Sequence, residues 1–252
     1  IAEETIKKVF NSYGYEEIRF PIVEKTELFT RSNESADIVT KEMYTFEDKG
    51  GDSISLRPEG TAGCVRAAIE NDLVRIDSPR LWYQGPMFRY ERPQKGRSRQ
   101  FQQSSAEAFG IRSAEIDAEL IILSSRIWKE LGILSNLNLE INNIGDEETR
   151  QSYAKSLQNY FKNYEEDLDE DSLRKLNNNP LRLLDSKSDS IQSLLKKAPD
   201  ISEFISKDSK NEFSELMRLL EDAGIKFSIN TKLVRGLDYY NQTVYEWKSD
   251  LL

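Results

Sequence analysis

The chain of 252 residues contains no histidine and one cysteine, Cys64. The absence of histidine excludes every mechanism that uses an imidazole, and it also excludes a histidine-ligated zinc ion. A single cysteine excludes an internal disulfide framework and a thiolate metal site, and it fits a reducing compartment. We therefore expect no protein-held metal, and we expect any catalysis to use arginines, carboxylates, tyrosines and groups of the ligand itself.

Long apolar runs are also missing. No stretch approaches the roughly 20 apolar residues that cross a bilayer, and the first residues do not resemble a signal peptide, so we expect a cytoplasmic protein without a membrane partner. The net charge of −9 means that a polyanion would have to bind a local basic patch. Because 38% of the residues are apolar and 10% are aromatic, the composition predicts a buried core and excludes a disordered or collagen-like chain.

Periodicity gives a coarse set of elements. Apolar spacing predicts an amphipathic helix from Ile1 to Tyr13 and a long helix over residues 116–131, each followed by glycine. Alternating or β-rich stretches predict strands at 16–21, 52–57, 81–89, 99–109, 137–141 and 225–229, with a further hairpin over 234–247. Thr61 is expected to be the N-cap of a helix that carries Val65, Ala68 and Ile69.

Composition changes near Gly145. Residues 145–229 are rich in Asn, Ser, Asp, Glu and Lys, and the run Glu165–Asp171 holds six acids, as expected for a solvated surface. Strands before and after this helical stretch predict an antiparallel α+β core that is interrupted by a second module. We therefore expect a core over 1–144, an insertion domain over 145–229, and a return to the core over 230–252.

The strongest chemical signal is a basic hairpin. Between Arg80 and Arg99 there are six basic residues and one acid, Glu91, with Pro-Gln-Lys-Gly at the tip. Charge alone fits a solvated loop equally well. However, arginines on both arms of a hairpin can make bidentate contacts to phosphate oxygens, and Phe101 can stack on a base. The order of residues thus favours a grip on a nucleotide or an RNA end, without a glycine-rich phosphate loop.

Several motifs resemble those of the histidyl-tRNA synthetases, which are class II aminoacyl-tRNA synthetases. Residues 80–101 resemble motif 2 (RLWYQGPMFRYERPQKGRSRQF), residues 55–67 the amino-acid-binding loop (SLRPEGTAGCVRA), and residues 233–247 the histidine signature (LVRGLDYYNQTVYEW). Residues 14–29 are similar to motif 1 (GYEEIRFPIVEKTELF), and residues 179–187 to the insertion domain (NPLRLLDSK). The match runs through nearly the whole chain in the family's order. It implies an antiparallel sheet flanked by helices, with a mostly helical insertion domain.

The resemblance also implies an activity. Such a domain activates histidine with ATP, as a complex with Mg²⁺, and transfers it from histidyl-adenylate to the 3′ end of tRNA(His). It implies a homodimer through the motif 1 region, around residues 1–22. The third motif and the anticodon-binding domain of the family have no counterpart in the sequence, so we expect weak or absent activity from this chain alone. Tyr90 and Gln102 stand where the family usually has histidine.

Site residues follow from the resemblance in two groups. Histidine would be bound by Glu59, Gly60, Thr61, Arg89, Gln103, Glu107, Arg235, Tyr239 and Tyr240. ATP would be bound by Arg89, Glu91, Arg97 and Phe101, with Arg89 and Arg235 as the catalytic pair on the α-phosphate. Structural alternatives stay open at this point: a capping turn for Glu59 and Thr61, core packing for the tyrosines, and a salt bridge to Asp238 for Arg235.

A second function also stays open. The synthetase-like regulatory subunit of ATP phosphoribosyltransferase binds without aminoacylating. Retention of the motif 2 arginines, the insertion and the RGLDYY signature argues against that class.

Overall fold

The computed structural model describes residues 1–31, 36–76, 78–237 and 239–249. Its residues form two compact units, Ile1–Leu134 and Ser135–Leu252. Both units combine helices with short sheets, which confirms the predicted α+β class. The division into residues 1–144, 145–229 and 230–252 stays a prediction.

The first unit contains two three-stranded sheets and the helices around them. Its helices are α1 (Ala2–Ser12), α2 (Thr26–Thr30), α3 (Asp37–Thr40), α4 (Thr61–Glu70), α5 (Leu73–Ile76) and α6 (Ala114–Glu130). Its strands are β1 (Glu16–Glu17), β2 (Val23–Lys25), β3 (Tyr44–Glu47), β4 (Ser53–Leu56), β5 (Arg80–Phe88) and β6 (Gln100–Ala108). The sheet orders are β1-β5-β6 and β2-β4-β3, with β1 parallel to β5 and the other pairs antiparallel.

The predicted basic hairpin is confirmed as the β5–β6 pair. Its register joins Arg80 to Ala108 at one end and Phe88 to Gln100 at the other. Because side chains alternate along a strand, the hairpin has two faces with separate cores. On one face Trp82 packs with residues of α1 and α6, and on the other Tyr83 and Met87 pack with residues of α4. The second face carries the candidate site.

The second unit is mostly helical around one three-stranded sheet. Its helices are α7 (Glu147–Phe161), α8 (Glu170–Asn178), α9 (Asp189–Leu195) and α10 (Lys207–Asp222), with 3-10 turns at Lys162–Asp167, Pro180–Leu183 and Ile201–Glu203. Its strands are β7 (Asn138–Asn143), β8 (Ser228–Ile229) and β9 (Thr243–Lys248), in the order β8-β7-β9, with β8 parallel and β9 antiparallel to β7. One hydrophobic core of this unit includes Tyr153, Leu157 and Phe161 of α7 together with Leu233 and Val244.

Three predicted elements differ from the structure. The strand expected over 16–21 ends at Glu17, because the Phe20 and Pro21 carbonyls instead accept hydrogen bonds from the Arg57 side chain. The strand expected over 225–229 is reduced to β8. The hairpin expected over 234–247 is wrong: among the described residues only β9 forms a strand there, and it pairs with β7.

Candidate active site

Residues 57–60 connect β4 to α4 and, together with Thr61, the first residue of α4, contact the β5–β6 hairpin. The Arg57 guanidinium is buried and donates from Nε to the Pro86 carbonyl of β5 at 2.9 Å, while burial lowers its pKa. The Phe88 N–H in turn donates to the Arg57 carbonyl at 3.0 Å. These bonds hold the turn against β5. We call residues 57–61 the acidic turn, after Glu59.

Glu59 caps the amino end of α4. Its Oε2 accepts from the Thr61 N–H at 2.5 Å and its Oε1 from the Ala62 N–H at 3.0 Å. The expectation that Thr61 is the N-cap is therefore wrong, because Thr61 is the first helical residue and Gly60 is the N-cap, while the capping hydrogen bonds come from the Glu59 side chain. Glu59 is only 4% exposed, and burial raises its pKa, while these hydrogen bonds and the charge of Arg89 lower it.

Gly60 allows the turn to approach β5 closely. A Cβ built on Gly60 would lie 2.2 Å from Cε2 of Tyr83, which is closer than any side chain tolerates. The Tyr83 ring also packs edge-on against Phe20, with centroids 5.0 Å apart. Glycine is therefore needed at this position for its small size.

Glu107 is the second carboxyl group of this face. It lies on β6 opposite Leu81, and its Oε1 accepts from Thr61 Oγ1 at 2.8 Å and from Tyr83 Oη at 3.2 Å. Its pKa is raised to about 7, mainly by burial and to a smaller extent by the negative charge of Glu59, against the lowering effect of the two hydroxyl donors. Two carboxyl groups thus lie close enough to interact on one face of the hairpin, which suits a ligand with cationic or hydrogen-bond-donating groups.

Gln103 lies on the same face of β6 as Glu107. It pairs with Gly85 across the hairpin, and its Nε2 donates to Ser105 Oγ at 3.0 Å. A Cβ on Gly85 would lie 2.4 Å from Nη2 of Arg57, so this position also depends on glycine. The Arg57 guanidinium therefore occupies the space beside Gly85, the residue opposite Gln103.

Apart from Arg80, the arginines of the hairpin lie in the loop between β5 and β6. Arg89 donates from Nε to the Pro58 carbonyl at 2.8 Å, and its guanidinium carbon lies 4.9 Å from the centre of the Phe101 ring. Glu91 is 3.9 Å from Arg89 Nη1 and 3.3 Å from Arg97 Nη1. This arrangement brings Arg89, Glu91, Arg97 and Phe101 together at the base of the loop, as the sequence predicted, and ties Arg89 to the acidic turn.

The remaining predicted residues lie in the second unit, in the segment before β9. Arg235 Nη1 is 3.9 Å from Glu246 Oε1, and its guanidinium carbon is 5.6 Å from the Tyr240 ring centre. The Tyr239 and Tyr240 rings are stacked with centroids 5.0 Å apart. Asp238, the acid expected to compete for Arg235, lies outside the described residues.

Arg235 also lines a pocket within the second unit. The pocket has a volume of about 430 Å³, and its charged lining residues are Asp185, Lys187, Lys232, Arg235, Glu246 and Lys248. Arg182 donates from Nη2 to the Gly236 carbonyl at 2.9 Å and so fixes the backbone next to Arg235. The motif at 179–187 thereby contacts the RGLDYY signature.

Sequence reasoning missed Arg57 and Tyr83 as parts of the site. Strand alternation over residues 80–88 carries a signal for Tyr83, because it places that side chain on the same face as its cross-strand neighbours on β6. Nothing in the local pattern signals that Arg57 is buried.

Within the part of the chain that the structure describes, no helix is long and apolar enough to span a membrane. The same residues contain no cluster of three or more acidic or cysteine side chains that could hold a metal ion.

Comparison with known proteins gives consistent matches. The family model described as histidyl-tRNA synthetase matches residues 2–247. The structure of apo histidyl-tRNA synthetase from S. aureus is similar, with 36% identity, a TM-score of 0.75, and coverage of 98% of this chain and 56% of that one. A protein from Bacillus halodurans described as an ATP phosphoribosyltransferase regulatory subunit/histidyl-tRNA synthetase shares the fold at 22% identity and a TM-score of 0.67, covering 100% of this chain and 68% of that one.

The fold is thus that of the class II aminoacyl-tRNA synthetases, as the resemblance of residues 80–101 to motif 2 implied. More specifically, because the family model matches nearly the whole chain, the chain belongs to the histidyl-tRNA synthetase family. It spans little more than half the length of the S. aureus protein.

Proposed function

We propose that this chain is the catalytic part of a histidine–tRNA ligase. It activates histidine with ATP to form histidyl-adenylate and pyrophosphate, and the histidyl group then passes to the 3′ end of tRNA(His). The observation that supports this most is that one turn, residues 57–61, brings an anion-binding arginine and a buried carboxylate together. Arg89, an anion-binding group, is bonded to Pro58, and the next residue in the chain is the buried carboxylate Glu59.

Histidine binding uses the acidic face. Glu59, with Gly60 and Thr61 beside it, takes the amino group of histidine, because a buried carboxylate is the natural partner of an ammonium group. Glu107 and Gln103 bind the imidazole, and the family resemblance assigns Tyr239 and Tyr240 to the same ligand. A site built on such hydrogen bonds rejects an apolar amino acid by a large factor, since its buried polar groups would be left without partners.

ATP binding uses the hairpin. Phe101 stacks on the adenine ring, Glu91 accepts a hydrogen bond from the base, and Arg97 binds the γ-phosphate. Arg89 contacts the α-phosphate and the carboxylate of histidine. Mg²⁺ accompanies ATP as part of the substrate and needs no ligand from the protein.

Activation is an in-line attack of the histidine carboxylate oxygen on the α-phosphorus, with pyrophosphate as the leaving group. The new O–P bond forms as the bond to the β-phosphate oxygen breaks, so no proton transfer is needed. The two reacting groups are both anions and repel each other. Arg89 and Arg235 reduce this repulsion, hold the groups in line, and stabilise the charge that builds on the α-phosphate. A histidine-free protein can therefore catalyse the step.

The same proposal covers the other partners. The 3′ end of tRNA(His) is the acceptor, the protein is cytoplasmic, and it acts as a homodimer through residues 1–22. The alternative is a regulatory paralogue of the ATP phosphoribosyltransferase type, because the B. halodurans protein that shares the fold is described as such a subunit or as a synthetase.

Calorimetric titration of the chain with histidine tests the proposal, with leucine as the comparison. Binding of histidine and not of leucine is expected, and equal binding of the two would refute the assigned pocket. A regulatory paralogue would pass this test, but it would lack histidine-dependent exchange of pyrophosphate into ATP.

A further inference from the structure

Tyr83 touches both carboxyl-bearing segments of the acidic face. Its side chain is 2% exposed, and its ring fills the space beside Gly60, where a Cβ would be 2.2 Å away. Its hydroxyl reaches Glu107 Oε1 at 3.2 Å. A single side chain on β5 therefore contacts the turn that carries Glu59 and also the carboxyl group on β6.

The direction of the Tyr83–Glu107 hydrogen bond is fixed by the surroundings. Burial and the nearby Glu107 raise the pKa of Tyr83, so the phenol keeps its proton and acts as the donor. Thr61 Oγ1 donates to the same carboxyl oxygen at 2.8 Å. Two hydroxyl donors thus converge on Oε1 and hold the Glu107 carboxyl group in place.

The ionisable groups that face Glu107 are all acids. They are Glu59 of the turn, Cys64 of α4 and Tyr83 of β5. Glu59 and Cys64 are themselves buried. Since burial and Glu59 both favour the protonated form of Glu107, the hydroxyl donors are the groups that favour its carboxylate form.

We propose that Tyr83 is a positioning residue: its hydroxyl holds the Glu107 carboxyl in place and its ring holds the Glu59 turn, so that the two carboxyl groups form one amino-acid pocket. The identity of the bound amino acid as histidine rests on the proposed function. The link between Tyr83 and Glu107 does not.

The experiment uses Tyr83→Phe in this chain, with Tyr153→Phe as the matched control. Tyr153 is equally buried, and its hydroxyl donates to the Pro199 carbonyl at 3.1 Å, but it lies in the second unit. Both variants lose one hydroxyl and keep the ring. Tyr83→Phe loses the bond to Glu107 and a longer contact of 3.4 Å to Thr61 Oγ1, and Tyr153→Phe loses the bond to Pro199. Chains labelled with ¹³C at the glutamate carboxyl carbons are titrated by NMR, and the Glu107 signal is assigned by its loss in Glu107→Gln.

Tyr83→Phe is expected to raise the titration midpoint of Glu107 by about one pH unit, since a hydrogen bond to a charged group is lost. Tyr153→Phe is expected to leave it unchanged. Affinity for histidine at pH 7 is expected to fall about tenfold in Tyr83→Phe and to stay the same in Tyr153→Phe. An unchanged Glu107 midpoint in Tyr83→Phe would overturn the inference, because a merely structural tyrosine would lower stability without moving that midpoint.

Two further outcomes are informative. If the midpoint moves but the unsubstituted chain does not bind histidine, the positioning role stands and the proposed function fails. If Tyr83→Phe does not fold, the unsubstituted chain labelled at tyrosine Cζ decides the question. One tyrosine signal should then shift with the midpoint of Glu107, and the absence of any such signal would overturn the inference.

Discussion

Replacing Glu107 with Gln should stabilise the first unit at alkaline pH. Gln has the same shape as Glu, and its carbonyl oxygen can still accept from Thr61 and Tyr83, but it never becomes charged. In the native chain the pKa of Glu107 is raised from 4.5 to about 7, mainly by burial. The folded state therefore disfavours the carboxylate form relative to the unfolded chain.

The magnitude follows from proton linkage. A raised pKa gives a contribution to stability that is complete below the unfolded pKa of 4.5 and is lost as the pH rises through about 7. At about 1.4 kcal/mol per pH unit, the full loss is roughly 3 kcal/mol, and solvent access to the carboxyl reduces it to about 1–3 kcal/mol. The free energy of unfolding of Glu107→Gln should thus equal that of the native chain at pH 4.5. At pH 8 it should exceed that of the native chain by about 1–3 kcal/mol.

Urea unfolding in a Trp247→Phe background measures this difference. The chain has three tryptophans, and the two that remain, Trp82 and Trp128, both lie in the first unit, so fluorescence reports that unit alone. Glu47→Gln, at an exposed position, serves as the control. Its difference in free energy of unfolding from the native chain should not grow with pH. A Glu107→Gln variant that is equally destabilised at pH 4.5 and pH 8 would refute the reasoning.

Three other predictions concern Gly60, Arg235 and the oligomeric state. Gly60→Ala should destabilise the first unit by about 1–3 kcal/mol in urea unfolding and weaken histidine binding, because its Cβ collides with Tyr83; a neutral effect on both would contradict the close approach. In a chain continued through the family's third motif, Arg235→Ala should slow histidyl-adenylate formation by on the order of 10²–10³ in single-turnover assays with little change in histidine affinity, and Arg235→Lys should recover only part of the rate; near-normal adenylation would leave Arg235 with a structural role through Glu246 and Tyr240. Light scattering at micromolar concentration should show a homodimer, and a monomer would count against a two-fold interface at residues 1–22.

Much of the fold could be predicted because its signals are local. The apolar period of α6 and the turn between β5 and β6 each depend on residues that are neighbours in the sequence. The β5–β6 hairpin in turn brings Arg89 and Phe101 together, so this part of the candidate site followed from the strand pattern.

The errors occur where side chains replace the expected backbone partners. Arg57 takes the carbonyls of Phe20 and Pro21, and this ends the predicted strand after Glu17. In the second unit the Asn142 side chain donates to the Leu233 carbonyl at 3.0 Å, directly before the segment 234–247 that was predicted to be a hairpin. Such contacts join residues far apart in the sequence, so no local pattern records them.

The acidic turn shows a similar limit. The sequence predicts a helix that begins near Thr61, and the structure confirms it. However, the choice of Glu59 as the capping group, and the pairing of Thr61 with Glu107, depend on the close packing of Tyr83 against Gly60. That packing depends on how closely the turn approaches β5, which no local sequence pattern records.

Histidine-dependent exchange of labelled pyrophosphate into ATP tests the central claim most directly. The assay uses this chain and, in parallel, a chain continued to the length of the S. aureus relative, with leucine as the control amino acid. The account predicts exchange with histidine and not with leucine in the longer chain, and a loss of exchange in its Arg89→Lys variant, since a point charge cannot reproduce the geometry of the guanidinium. Histidine binding without any exchange in the longer chain would contradict the claim that this protein activates its amino acid.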